Sequence, residues 1–213
     1  MEHSIREILL YGGRTAMGCA VPHCPEAEAS LRRLIRGNAH YLERKSNPAE
    51  LTDLIRIRTA HEGQHPYAAV VCCADSRVPP EHIFGAGIGE LFVIRNAGNV
   101  MTPSALGSVE YAVEHLHVPL VLVMGHRGCG AVVAAMQHTR EHGALGNLVA
   151  EVAAAVDHAH DPRQAELNNL RHSLSRLGTS NVLRELSAES KAAFAGAIYD
   201  IRSGSVSFLR EEP

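Results

Sequence analysis

The pattern that most limits the fold is a pair of short, unbroken apolar runs, residues 67–73 and 119–124, set among longer segments of helical periodicity. A strand with one face in water alternates polar and apolar residues. A strand that is apolar throughout is buried on both faces, as in a parallel sheet covered by helices. Residues 91–94 form a third such run. Ahead of them, residues 26–44 carry Leu31, Leu34, Ile35 and Leu42 at helical spacing, and residues 49–61, after Pro48, carry Leu51, Leu54, Ile55 and Ile57. Gly63 ends that segment, and Thr102-Pro103 supplies a cap and a first-turn proline for a helix over 104–116. A helix is also expected over 128–140, and one or two over 145–177 with a break near Asp161-Pro162. Residues 188–194 read as helical, and residues 196–201 and 206–209 as a closing hairpin joined by Ser203-Gly204. The expected fold is α/β, with a mostly parallel central sheet of about four parallel strands. An antiparallel C-terminal edge strand completes the sheet, helices flank it, and a helical arm precedes it.

The length of 213 residues fits one domain, read as residues 26–213 after an irregular tail over 1–25. Cys19, His23 and Cys24 fall in that tail. No second ligand pair accompanies them, so an exposed tail is expected there rather than a metal cluster. A formal net charge of −3 with no Trp leaves neither a basic field nor a stacking surface for nucleic acid. No run reaches the roughly 18 apolar residues of a membrane span, so no membrane partner is expected. The first ten residues show no apolar core of a secretory signal. Five cysteines in a chain of this length suit a reducing cytoplasm better than a disulfide framework.

Each of the two longer runs stops at a segment rich in chemistry. The first continues as Cys73-Ala74-Asp75-Ser76-Arg77, the second as His126-Arg127-Gly128-Cys129. Open α/β sheets bind ligands outside the carboxyl ends of their strands, so these segments are expected to converge. Thiolate and imidazole are preferred zinc ligands, and Cys73, His126 and Cys129 would leave a fourth tetrahedral position open, as catalytic sites do. Strand alternation puts Cys73, Asp75 and Arg77 on one side and Cys72 on the other, inside the core. The three-residue spacing of His126 and Cys129 suits two side chains on one first helical turn. Two thiolates and a neutral imidazole cancel the charge of zinc. Water there should ionise less readily than on a three-histidine site, where its pKa is near ~7. Asp75 could accept a hydrogen bond from that water or displace it. A bidentate pair with Arg77 would hold the carboxylate off the metal. The glycine-rich stretch 85–89 precedes a strand instead of following one and opening a helix, so a dinucleotide loop is not expected.

In this order the residues resemble the β-class carbonic anhydrases. The resemblance extends through Gln64-His65-Pro66, the stretches 73–78, 89–99, 107–113 and 125–132, and the closing segments 196–200 and 204–208. Gly37-Asn38 matches the family's N-terminal helix motif, although His40 and Tyr41 stand where an arginine and a phenylalanine are usual. The resemblance implies zinc-dependent, reversible hydration of carbon dioxide to bicarbonate and a proton, by zinc-hydroxide attack with one Zn2+ per chain. Cys73, His126 and Cys129 would be the ligands, and Asp75 and Arg77 the catalytic dyad. Gln64 and the Gly130 N–H would hold bicarbonate. Phe92, Ala97 and Tyr111 would line an apolar pocket, partly across a dimer interface. A homodimer or homotetramer is implied, with the segment 26–61 covering its apolar face on a partner. Another branch of the family has an inhibitory bicarbonate site that includes a tryptophan; this chain has none, so that site is expected to be absent as usually built. The same fold and ligands can also serve a carbonyl sulfide or carbon disulfide hydrolase, or a non-catalytic zinc- or bicarbonate-binding protein. A thiol redox role for Cys72 and Cys73 lacks the spaced cysteine motif it would need.

Overall fold

The two longer apolar runs become strands buried at every position, while the third, at 91–94, becomes a half-buried edge strand. The computed structural model describes residues 24–43, 51–138, 141–156 and 159–210. Its strands are β1 (Ala68–Cys73), β2 (Leu91–Asn96), β3 (Leu120–His126), β4 (Ala193–Tyr199) and β5 (Val206–Phe208), in the sheet order β2-β1-β3-β4-β5. The first four are parallel, and β5 runs antiparallel to β4, as expected from the sequence. β1, β3 and β4 are buried at every position.

Alternation along these strands feeds two cores. Ala68, Val70, Cys72, Leu122 and Met124 face Leu31 and Leu34 of α1 (Pro25–Leu42), together with Ile83 and Phe84. Ala69, Val71, Val121 and Val123 face Val109 of α4 (Pro103–Glu114), Leu170 and Leu177 of α7 (Pro162–Leu177) and Leu183 of α8 (Asn181–Ala188). The remaining helices are α2 (Asp53–Glu62), α3 (Pro80–Ile83), α5 (Gly130–Met136) and α6 (Gly143–Val156). Side chains of α5, α6 and α7 form a third apolar cluster, which takes in Cys73 and Cys129.

Local chemistry sets the helix starts. Thr102 accepts the Ala105 N–H at 3.2 Å ahead of Pro103, and Asp161 accepts the Gln164 N–H at 2.9 Å ahead of Pro162. The break at Asp161-Pro162 therefore separates α6 from α7 as predicted.

Four expectations change. Residues 188–194 are not a helix: α8 ends at Ala188 and β4 begins at Ala193. Their small residues fit either state locally, but pairing from Leu120↔Ala193 to His126↔Tyr199 decides for strand. The second helix starts at Asp53 with Thr52 as its cap, while Pro48 and Ala49 lie outside the described residues. The segment 26–61 is not a detached arm. Leu31 and Leu34 are fully buried against the chain's own sheet, each contributing roughly 1.5–3 kcal/mol. Asn38 ties α1 down further, donating to the Gly204 carbonyl at 2.9 Å and accepting the Val206 N–H at 3.0 Å. α2 leaves an apolar stripe outward, with Leu51, Leu54 and Ile57 exposed at its flank and face. Finally, Cys24 is buried in the core instead of lying in an exposed tail, and Cys19 and His23 lie outside the described residues. Among the described residues no helix is long and apolar enough to cross a membrane.

Candidate metal centre

Strand order reverses between β1 and β3, because β2 lies to one side of β1 and β3 to the other. Such a switch point opens a crevice at the strands' carboxyl ends. Cys73 is the last residue of β1 and His126 the last of β3, so topology alone places both donors at that crevice. Cys129 arrives by a two-residue turn, Arg127-Gly128, in which Gly128 has φ 70, a conformation that residues with a Cβ rarely adopt. Cys129 caps α5. His126 and Cys129 thus meet through a strand end and a helix cap, not on the shared helical turn that their spacing suggested.

The donor atoms of Cys73, His126 and Cys129 all lie within 4.8 Å of one another, and the three side chains are buried. His126 Nδ1 lies 3.0 Å from the Arg127 carbonyl. A carbonyl only accepts, so Nδ1 carries the proton and Nε2 presents a lone pair. Nε2 is buried with no hydrogen-bond partner. A buried acceptor left unpaired among two thiols is costly, and a divalent cation satisfies all three donors at once. The set therefore fits zinc.

The thiols interact strongly. The Cys129 sulfur beside it and the Gly98 N–H hold the Cys73 thiol below its ordinary range, against the opposing effect of burial. The same neighbouring sulfur and burial push Cys129 up. The Gly98 N–H reaches Cys73 Sγ at 3.3 Å. Cys72 points into the opposite core, as alternation required, and burial pushes its thiol up to about 12.

Beyond Cys73 the chain stops being extended and turns, with the Val78 N–H donating to the Asp75 carbonyl at 3.0 Å. Asp75 takes three bonds from Arg77: the backbone N–H and Nε at 2.9 Å to Oδ1, and Nη2 at 2.7 Å to Oδ2. These hold its carboxyl well below the usual carboxylate range. Asp75 Oδ2 stands 4.0 Å from His126 Nε2, at the edge of the donor cluster. Arg95, which the sequence reading passed over, braces the same turn. It donates to the Cys73 carbonyl at 3.1 Å and the Asp75 carbonyl at 2.7 Å.

The other expected residues divide. Gly130 directly follows Cys129, and Ala97 directly follows Asn96, whose register partner is Cys73. Both are exposed beside the cluster. Gln64 precedes β1, and five strand steps of about 3.3 Å, about 16 Å, separate Ala68 at the start of that strand from Cys73 at its end. Phe92 pairs with Ala69 at that same far end, and its ring meets Tyr111 on α4 with centroids 6.1 Å apart. Phe92 and Tyr111 thus lie away from the cluster of their own chain, and Gln64 enters β1 from that same far end.

Comparison with known proteins agrees with this geometry. Residues 68–206 match the family model described as carbonic anhydrase. The chain is 41% identical over 129 residues to carbonic anhydrase 2 of Mycobacterium tuberculosis, covering 60% of this chain and 61% of that protein. It is 32% identical over 202 residues to a carbonic anhydrase of Synechococcus elongatus, covering 83% of this chain and 70% of that one. A tetrameric β-carbonic anhydrase of Sordaria macrospora superimposes with a TM-score of 0.66 at 26% identity, over 74% of this chain and 87% of that one. The chain thus spans about three fifths of the mycobacterial relative's length and most of the others'. Sequence match, strand order and the donors at the β1–β3 crevice all lead to one assignment: the chain belongs to the β-class carbonic anhydrase family.

Proposed function

We propose that this protein catalyses the reversible hydration of carbon dioxide to bicarbonate and a proton. The observation that carries this reading is a carboxylate, Asp75, gripped through both oxygens by Arg77 at the edge of a buried Cys-His-Cys cluster. A purely structural metal site has no use for that pair. Cys73, His126 and Cys129 would hold the zinc ion. Zinc bound there would supply Lewis acidity, lowering the pKa of water.

The chain's own residues do the rest. Asp75, kept ionised by Arg77, is an acceptor only and so would orient the proton of the attacking water. Arg77 would hold the carboxylate at the edge of the donor cluster and off the metal. The Gly130 N–H would hold a bicarbonate oxygen, and Ala97 would form part of an apolar wall suited to a substrate without a net dipole. Gln64, Phe92 and Tyr111 would serve the site of a second copy, since they belong to the far end of the sheet from Cys73. Assembly is supported by the exposed Leu51, Leu54, Ile57 and Tyr111 and by the edge position of β2, which has a strand partner on one side only among the described residues. The Sordaria relative's tetramer supports it too. We read residues 26–213 as one catalytic domain, and the free cysteines Cys24, Cys72, Cys73 and Cys129 fit a reducing compartment such as the cytoplasm.

Zinc-quantified protein assayed in turn on carbon dioxide, carbonyl sulfide and carbon disulfide tests the proposal. Hydration of carbon dioxide supports it. Turnover of a sulfur gas alone would reassign the substrate, and zinc without turnover of any of the three would leave a binding protein.

A further inference from the structure

Helix α7 supplies none of the three donors, yet one face of it grips the turn that joins two of them and the turn 98–99 that bonds the third. Glu166, Asn169 and Ser173 recur at helical spacing along α7 and are 5%, 2% and 0% exposed. A buried carboxylate is costly unless it is paired and hydrogen-bonded. Glu166 is: Oε2 accepts from Arg127 Nη1 at 2.8 Å, and Oε1 accepts the Gly128 N–H at 2.7 Å. Arg127 and Gly128 are the two residues between His126 and Cys129. Asn169 donates to the Gly98 carbonyl at 2.8 Å and Ser173 to the Asn99 carbonyl at 3.0 Å. Gly98 in turn donates its N–H to Cys73 Sγ. The polar stripe therefore reaches all three donors through one intervening bond or turn.

We infer that Glu166 is a positioning residue of the metal centre. Its carboxylate fixes the Arg127-Gly128 turn, and so sets the separation and aim of His126 Nε2 and Cys129 Sγ. The turn has several duties that make its geometry matter. The Arg127 carbonyl accepts from His126 Nδ1, which fixes the imidazole tautomer. Arg127 Nη1 also donates to the Arg163 carbonyl at 3.1 Å, anchoring the turn to the first turn of α7. The Gly128 carbonyl lies 3.4 Å from Arg77 Nη2, so the same turn borders the Asp75–Arg77 pair. This inference rests on the reading of Cys73, His126 and Cys129 as zinc ligands.

The test follows metal release. Zinc-loaded wild type and Glu166→Gln are mixed with excess chelator, and the release rate is recorded. Cobalt-substituted samples of both are compared by their ligand-field absorption. Glu166→Gln keeps the shape and removes the charge. It is expected to release zinc about tenfold faster or more, and to shift the cobalt bands. Leu183→Ala, in the core beneath α8, controls for lost stability. It should lower Tm while leaving release rate and bands at wild-type values. Should Glu166→Gln not fold, Arg127→Gln cuts the same link from its more exposed end and is expected to move both readouts. Wild-type release and bands in the Glu166 or Arg127 variant, or equal changes in Leu183→Ala, would overturn the inference. A wild type that takes up neither zinc nor cobalt would instead remove the metal reading itself, and this inference with it.

Discussion

Arg77 holds Asp75 in a fork, Nε to Oδ1 at 2.9 Å and Nη2 to Oδ2 at 2.7 Å, while Asp75 Oδ2 remains 4.0 Å from His126 Nε2. The carboxylate stands beside the donor cluster with both oxygens bonded to Arg77, and on the proposed function it serves the site without ligating the metal. Asp75→Asn should therefore keep about one zinc per chain and lose activity by about 100-fold or more, the usual size of a lost proton acceptor. Arg77→Lys, which cannot make the fork, should fall between it and wild type. Metal analysis beside initial rates checks both.

The adjacent cysteines should behave oppositely. Cys73→Ser is expected to lose zinc and activity together. Cys72→Ala should keep both and cost about 1 kcal/mol of stability, since its thiol is packed in the opposite apolar core. Zinc per chain and a denaturant midpoint separate the two cases.

Gln64 gives a test of assembly. Equal amounts of Gln64→Ala and Cys73→Ser, each nearly inactive alone, should regain activity when dissociated and reassociated together. Each mixed dimer then holds one intact site, so about a quarter of wild-type activity is expected for random pairing. No recovery, with mixed dimers present, would confine Gln64 to its own chain.

Tyr67 gives a pH prediction. Burial pushes its hydroxyl up to about 12 despite the Arg33 guanidinium over its ring. The unfolded chain loses that proton near pH 10 and the folded chain only near 12, so in this window the unfolded state binds fewer protons. Stability present below pH 10 is then lost as pH rises, by about 1.4 kcal/mol per pH unit. The hydroxyl is also buried without a hydrogen-bond partner among the described residues. Tyr67→Phe should therefore match or exceed wild-type stability at pH 8, and its advantage should grow between pH 10 and 12. Denaturant unfolding across that range measures it.

Much of this site was legible in the chain because its donors end apolar runs. Burial on both faces marks β1 and β3 as inner strands, and inner parallel strands deliver their last residues to one crevice. Alternation alone separated Cys73 from Cys72. Local patterns fail where a long-range partner decides the outcome. The Ala- and Gly-rich stretch of β4 is strand only because β3 lies beside it, and Leu31 and Leu34 cover their own sheet for reasons no periodicity states. Glu166 went unseen for the same cause. It lies 38 residues beyond Gly128, and a lone acidic residue in a helix reads as solvated until its partners are known. Its one available signal was the polar repeat Glu166, Asn169, Ser173 along a helix that had to bury Leu170 and Leu177.

The most direct measurement is stopped-flow carbon dioxide hydration on protein of known zinc content, from about pH 6.5 to 9. The expected result is activity in proportion to zinc, near one ion per chain, with a rate that rises through the range. Full zinc occupancy with no hydration at any pH would contradict the proposed function.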